Sequence, residues 1–177
     1  MRLVLVLSLL TLGCAHAPPT KTASRCSVVT SPRDLARTRQ EDRKAYLEVK
    51  QGIQKMSTVF EVVKTRVLND RNRQPKPLSP EDTMRAQQRL EGLQKILAGE
   101  TEHLDQLASG LPEEQLETIP DEIAIDPMLS TLQEMCQASE KKREAELLST
   151  KSVVEQVLID FRQLVEDYQL PVRLEQA

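Results

Sequence analysis

YLEVKQGIQKMSTVFEVVKTRV, residues 46–67, is the stretch that decides the fold. Its apolar residues fall at Tyr46, Val49, Ile53, Met56, Phe60, Val63 and Val67, so the steps alternate three and four. A strand would repeat every second residue, whereas steps of three and four keep side chains on one stripe of an α-helix. Sustained for about three heptads, such a stripe is the seam of a helix that packs on other helices. A lone helix would leave that stripe wet, so partners are expected elsewhere in the chain.

Working outward, Ser31-Pro32-Arg33-Asp34 supplies an N-cap, a proline at the first helical position and an acid at the third. The first helix is predicted over 32–73, and QPKPL at 74–78 stops it, because prolines cannot continue a helix. Ser79-Pro80-Glu81-Asp82 repeats the capping chemistry, and Ala86, Leu90, Leu93, Leu97, Glu100, Leu104 and Leu107 form the next seam. The second helix is predicted over 80–109, with Gly110 as the residue after its end. Residues 112–125 form a connector, with one turn expected at 112–118. Asp126-Pro127 starts a third helix, predicted over 127–169. Its seam opens with Leu129, Leu132 and Cys136, fades through SEKKREAE and returns at Val154, Val157, Phe161, Leu164 and Tyr168. Short connections make neighbouring helices antiparallel. The expected fold is all-α: an elongated, coiled-coil-like three-helix bundle over 31–170, running up-down-up, with a short tail at 171–177.

Composition narrows the function. The chain has 24 basic and 27 acidic residues, and aromatics make up 2% of it with no Trp. The basic surface with stacking aromatics that binds nucleic acid is therefore missing. Charge is unevenly placed. Residues 21–50 carry eight bases against four acids, and residues 111–127 carry six acids and no base. In an up-down-up bundle these two stretches lie at one end, so Arg33, Arg37, Arg39, Arg43 and Lys44 are expected to face Glu113, Glu114, Glu117, Asp121 and Glu122. Such exposed pairs orient a connector more than they stabilise it, at about 0–1 kcal/mol each.

Catalytic patterns are scarce. Glycine-rich phosphate loops, C-x-x-C and H-E-x-x-H do not occur. Glu100 and His103 form one Glu-x-x-His pair, the spacing that places two metal ligands on one helical face. Di-iron bundles need that pair twice with two further carboxylates. A polar interruption beside a surface histidine explains the single copy, and no metal or other cofactor is expected. Gly92 and Gly99 lie a heptad apart, which suits either close helix approach or tolerated surface positions.

The first residues address the chain. Met1-Arg2 precedes an apolar run over 3–12, too short to span a bilayer of about 30 Å as a helix. That is the plan of a secretory signal peptide. Ala15-His16-Ala17 offers one cleavage site, but Pro18 follows it. Leu10-Thr11-Leu12-Gly13-Cys14 offers another, and it resembles the lipobox of bacterial lipoproteins over the first fourteen residues. The resemblance implies a signal peptide at 1–13, a diacylglyceryl group on the Cys14 thiol, and an acylated amine after cleavage. Residues 15–30, made largely of Pro, Thr, Ser, Ala and Lys with little apolar content, read as a flexible tether, so that 14–30 is expected to be the lipidated cysteine and its tether. Because Ala15 follows the cysteine, the resemblance also implies an outer-membrane location facing the periplasm. Several acyl chains make a stable anchor where one is marginal.

If lipid takes Cys14, Cys26 and Cys136 remain as a pair in an exported protein, where disulfides persist. Both lie near the same end of the expected bundle, so a bridge between them is predicted. It would close a loop worth up to ~4.7 kcal/mol in the chain-entropy model. Two free thiols, with Cys136 a small core residue, are the alternative.

The expected function is that of a non-enzymatic, membrane-anchored adaptor or assembly factor that binds another envelope protein. The alternative is a small-ligand or metal carrier using a cavity between helices, with Glu100 and His103 as polar handles. Arg71, Arg73 and Lys76, in the proline-stiffened turn away from the lipid, are candidate partner contacts, against the plainer reading of an ordinary solvated turn. The anchor has a direct test. Cys14→Ser is expected to leave uncleaved or soluble precursor and to abolish partitioning into a detergent phase. Normal membrane association of that variant refutes the anchor.

Overall fold

Serine side chains start two of the three helices. Ser31 Oγ accepts the Asp34 N–H at 3.2 Å, and the Thr30 N–H and hydroxyl each donate to the Asp34 carboxylate at 3.1 Å. Partial burial alone would raise the Asp34 carboxyl. The hydrogen bonds from Thr30 and Ser31 outweigh it and hold the group below its ordinary value. At the second start, Ser79 Oγ accepts the Asp82 N–H at 3.0 Å. Each cap satisfies a donor that the first helical turn leaves without a partner.

The structure, a computed structural model, describes residues 25–68, 77–111 and 115–172. Three α-helices follow in order: α1 (Pro32–Val63), α2 (Pro80–Ser109) and α3 (Met128–Asp167). Single 3₁₀ turns lie at Arg25–Val28 and Leu116–Thr118. Among the described residues there is no strand, and no helix is long and apolar enough to cross a membrane. The fold is an all-α three-helix bundle.

The helix ends differ from expectation in instructive ways. The α geometry of α1 stops at Val63, and a π turn follows at Lys64–Leu68. Val67 and Leu68 are both buried there, and one extra residue in the turn brings two neighbours to the core side where a plain α-helix would bring one. The last part of the helix predicted to reach residue 73 lies outside the described residues. Helix α2 has the predicted bounds. Gly110 donates to Gln106 O at 3.0 Å, without the left-handed φ often used at helix ends. That conformation appears instead at Gln169, with φ 48°, after α3. Leu170 N–H donates to Val165 O and Gln169 N–H to Glu166 O, which is a Schellman closure, and Leu170 is buried against it.

The contacts divide the chain into two units. The first holds the described residues of 51–102 and 151–177. Its centre is apolar. Phe60 of α1 and Phe161 of α3 stack with centroids 4.4 Å apart, and both are fully buried. Leu90, Leu97 and Leu164 are equally buried. Glu61 accepts from Gln94, and Lys64 pairs with Glu91 at 2.7 Å. Rising numbers on α1 thus meet falling numbers on α2, so the two are antiparallel. Arg89 of α2 pairs with Asp167 at 2.6 Å and lies over the Tyr168 ring. Arg89 and Gln163 together hold the Asp167 carboxyl below its usual range. Both members of that pair are well exposed, so it adds little stability. An added Cβ at Gly92 or Gly99 would meet nothing within 4 Å, so neither glycine serves close helix approach.

The second unit holds the described residues of 15–50 and 103–150. Leu35 and Leu132 share one apolar cluster, and a heptad further on Asp42 meets Ser139. Helices α1 and α3 therefore run in the same direction. Residues 25–30, read from the sequence as the end of a tether, are built into this unit: Cys26 and Val29 are buried in the same cluster.

The seam assignment makes a test in the first unit. Ile53→Asp or Phe60→Asp places a charge in a site 2% or 0% exposed and is expected to cost about 3 kcal/mol or more. Gln54→Asp, on the exposed side of the same turn, is expected to cost less than about 0.5 kcal/mol. Equal melting temperatures for all three variants would reject the heptad register.

Candidate functional site

The polar stretch of α3 that interrupts its apolar seam stays half-buried at the seam positions. Counting on from Cys136 in steps of three and four gives Ser139, Arg143, Glu146 and Thr150. Along α1 from Leu35, steps of three, four and four give Thr38, Asp42 and Tyr46. The two seams meet in polar form, and the meeting point is Asp42. Its side chain is 1% exposed.

Three donors converge on that carboxylate. The Arg25 guanidinium, from the 3₁₀ turn before α1, donates to Oδ1. Arg143 Nη1 donates to the same oxygen at 2.9 Å, and Ser139 Oγ donates to Oδ2 at 2.7 Å. Arg25 also lies 3.2 Å from Glu140 and 3.5 Å from Glu41. A buried carboxylate is tolerated only when paired and hydrogen-bonded, and both conditions hold. One turn along α1, burial raises the Tyr46 phenol above its ordinary value, Asp42 and Glu146 add to the rise, and Arg143 opposes it.

The cystine lies beside this network. Cys26 and Cys136 are bonded at 2.04 Å with their Cα atoms 5.6 Å apart, and both are fully buried. Arg25 is adjacent to one half-cystine, and Ser139 and Arg143 follow the other on the same helix. The covalent bridge and the charge network therefore hold one turn, α1 and α3 together.

A half-open cavity of about 110 Å³ adjoins Asp42 and Tyr46, closed on other sides by Gln106, Leu107, Gly110, Leu111, Ser139 and Lys142. Small-molecule pockets run roughly 300–1,000 Å³, well above this volume. In the first unit an open hollow of about 270 Å³ is lined by Arg89, Gly92, Leu93, Ile96 and Asp160. No protein-family model, no curated protein and no solved structure matches the chain.

The residues singled out in the sequence divide three ways. Cys26 and Cys136 are brought together. His103 meets Glu146 of α3, with Nε2 to Oε2 at 3.0 Å, and Glu100, earlier on α2, is half-buried. Among the described residues no group of three or more His, Cys, Asp or Glu is placed to hold a metal ion. Cys14, Arg71, Arg73 and Lys76 lie outside the described residues.

Among the described residues, Arg33 makes the expected contact between the start of α1 and the acidic connector. Arg33 pairs with Asp121 at 2.8 Å, and its Nε and Nη2 both donate to Ile119 O. Ser31 Oγ donates to Asp121, and Ala124 N–H donates to Thr30 O at 2.8 Å. Arg37 turns instead to Asp34 on its own helix, 3.6 Å away. Glu113 and Glu114 lie outside the described residues. Sequence reading missed Asp42, Arg25 and Arg143. For Asp42 and Arg143 the signal was present, because both keep the three-four count of their seams, but hydrophobicity does not register it.

Removing one partner of a buried charge cluster costs more than removing an exposed pair. Asp42→Ala leaves two guanidiniums facing each other without their carboxylate and is expected to cost about 3–5 kcal/mol. Glu41→Ala, at a carboxylate 57% exposed, is expected to cost no more than about 0.5 kcal/mol. Urea unfolding with the cystine intact measures both. A small Asp42→Ala effect would show that the network is ornamental to stability.

Proposed function

We propose that the chain is a lipid-anchored, non-enzymatic adaptor or assembly factor of the bacterial cell envelope, held in the outer membrane and facing the periplasm. The Cys26–Cys136 cystine is the observation that carries the reading. Buried disulfides persist in oxidising compartments and are rare in reducing ones. With that pair formed, Cys14 is the only other cysteine in the chain, and it stands in the sequence that resembles a lipobox.

The interior supports a binding role over a catalytic one. Asp42, among the most buried polar groups of the described residues, is occupied by two arginines and a serine, an arrangement that fixes geometry. The cavity beside it falls short of small-ligand size. What the molecule offers to others is its solvated helical faces and connectors. The connector with Arg71, Arg73 and Lys76 is the proposed contact for the protein partner.

Crosslinking in intact envelopes, followed by mass spectrometry, is expected to return one stoichiometric protein partner, with crosslinks to Lys76. The yield should fall for Cys14→Ser, which mislocalises the chain. Finding no partner, while a small molecule raises the melting temperature of the purified protein, would overturn the adaptor reading.

A further inference from the structure

At the cystine end of the second unit, the burial of the second connector alternates. Ile123 is 77% exposed, Ala124 is 8% exposed and Ile125 is 79% exposed. Alternation of this kind sends successive side chains to opposite sides. Ala124 packs inward with Cys26, Val29 and Cys136, and its N–H is tied to Thr30 O at 2.8 Å. The two isoleucines therefore point away from the core. Val28, in the turn that holds Cys26, is 72% exposed, and Met128, at the start of α3, is 48% exposed. Exposed aliphatic side chains scattered singly need no explanation, but each of these four lies within four residues of one end of the same pinned backbone contact, Ala124 N–H to Thr30 O. Arg33 fixes the connector from the other side, through Ile119 O and Asp121, so the isoleucines cannot fold inward.

The anchor proposed at Cys14 says what covers them. Arg25 lies in the same 3₁₀ turn as Val28 and is locked by Asp42 and Glu140. Residues 15–24 separate it from Cys14, and a chain of that length reaches at most roughly 36 Å. An acyl anchor at Cys14 thus keeps this end of the molecule within that distance of the bilayer, close enough for the isoleucines to reach it. Charge then selects the lipid. Asp121 is matched by Arg33, whereas the exposed carboxylates of Glu122 and Asp126 flank the isoleucines directly and would be repelled by an anionic surface.

We propose that Val28, Ile123, Ile125 and Met128 seat in the headgroup–acyl boundary of a zwitterionic bilayer, as a second contact that orients the bundle on its anchor. The inference rests on the lipid-anchor reading given above.

The chain has no Trp, so a single introduced indole reports its own surroundings. Ile125→Trp is compared with Leu148→Trp, a control at a position 68% exposed and about 30 Å further along α3. Both are made as full-length lipidated protein and reconstituted in phosphatidylcholine vesicles with and without brominated acyl chains. At the interfacial depth of ~5–10 Å, the emission of the Ile125→Trp variant is expected to shift to the blue and lose roughly half its intensity to the bromolipid. The Leu148→Trp variant should stay unshifted and unquenched. Adding anionic lipid should weaken the quenching of the connector indole, and salt should restore it. Flotation of the protein with vesicles, together with equal signals from the two variants, would overturn the lipid seat alone and turn the patch over to a protein partner. Flotation no better than that of Cys14→Ser would overturn the anchor, and the lipid seat with it.

Discussion

A carboxylate that is 1% exposed needs its counter-charges in place before the helices around it can close. Asp42 imposes that constraint on the second unit. Its three donors come from the turn before α1 and from two positions on α3 a turn apart. An apolar seam tolerates a slip of one heptad, since leucine can replace leucine at the interface. A lone buried acid cannot accept that slip, because it would then face an aliphatic side chain and lose both arginines. The charge network therefore sets the register of α1 against α3, and the cystine beside it sets the register of the incoming turn. This is the use of buried polar groups best attested in helical bundles, where they contribute more to uniqueness than to net stability.

The two units solve the same packing problem with different chemistry. The first is an apolar core, in which stacked Phe60 and Phe161 are surrounded by leucines and valines. The second has fewer large apolar side chains and relies on a disulfide, a carboxylate cluster and a pinned connector. Small cores gain from covalent staples, because cross-linking lowers the entropy of the unfolded chain. The bridge here joins residues 110 apart in sequence, in the range where the chain-entropy model assigns about 4–5 kcal/mol. A stapled end would also suit the lipid anchor proposed above, because Arg25 and Cys26 form a fixed point from which a segment toward Cys14 can start.

The distribution of charge follows the same division of labour. Surface pairs such as Lys64–Glu91 and Arg89–Asp167 link neighbouring helices but remain in contact with water. Arg33 does more with the same guanidinium, because it holds a carboxylate and a backbone carbonyl of one connector at once. That connector places its isoleucines outward and its alanine inward. The described part of the acidic run, 115–127, thus includes a positioned edge.

Local chemistry was legible in the sequence. The serine caps, the prolines that follow them and the three-four spacing specified three helices, and α2 has the bounds read from it, because capping depends on residues within one turn. The cystine pairing was legible too, from the cysteine count and the shared end of two helices. Tertiary structure decided the rest. It turned the polar gap in α3 into a buried network, because a serine or arginine on a seam reads as solvated until its partner on another helix is known. It opened a π turn at the end of α1 so that Val67 and Leu68 could both reach the core. It gave the left-handed closure to Gln169, because burying Leu170 against the end of α3 requires that φ whatever the residue. It chose Arg33 over Arg37 for the connector, because Arg33 sits in the first turn of α1 beside residues 119–121, whereas Arg37, one turn further along the same face, pairs with Asp34. Periodicity identifies which face of a helix is buried, but only the neighbouring helix determines what that face must be made of.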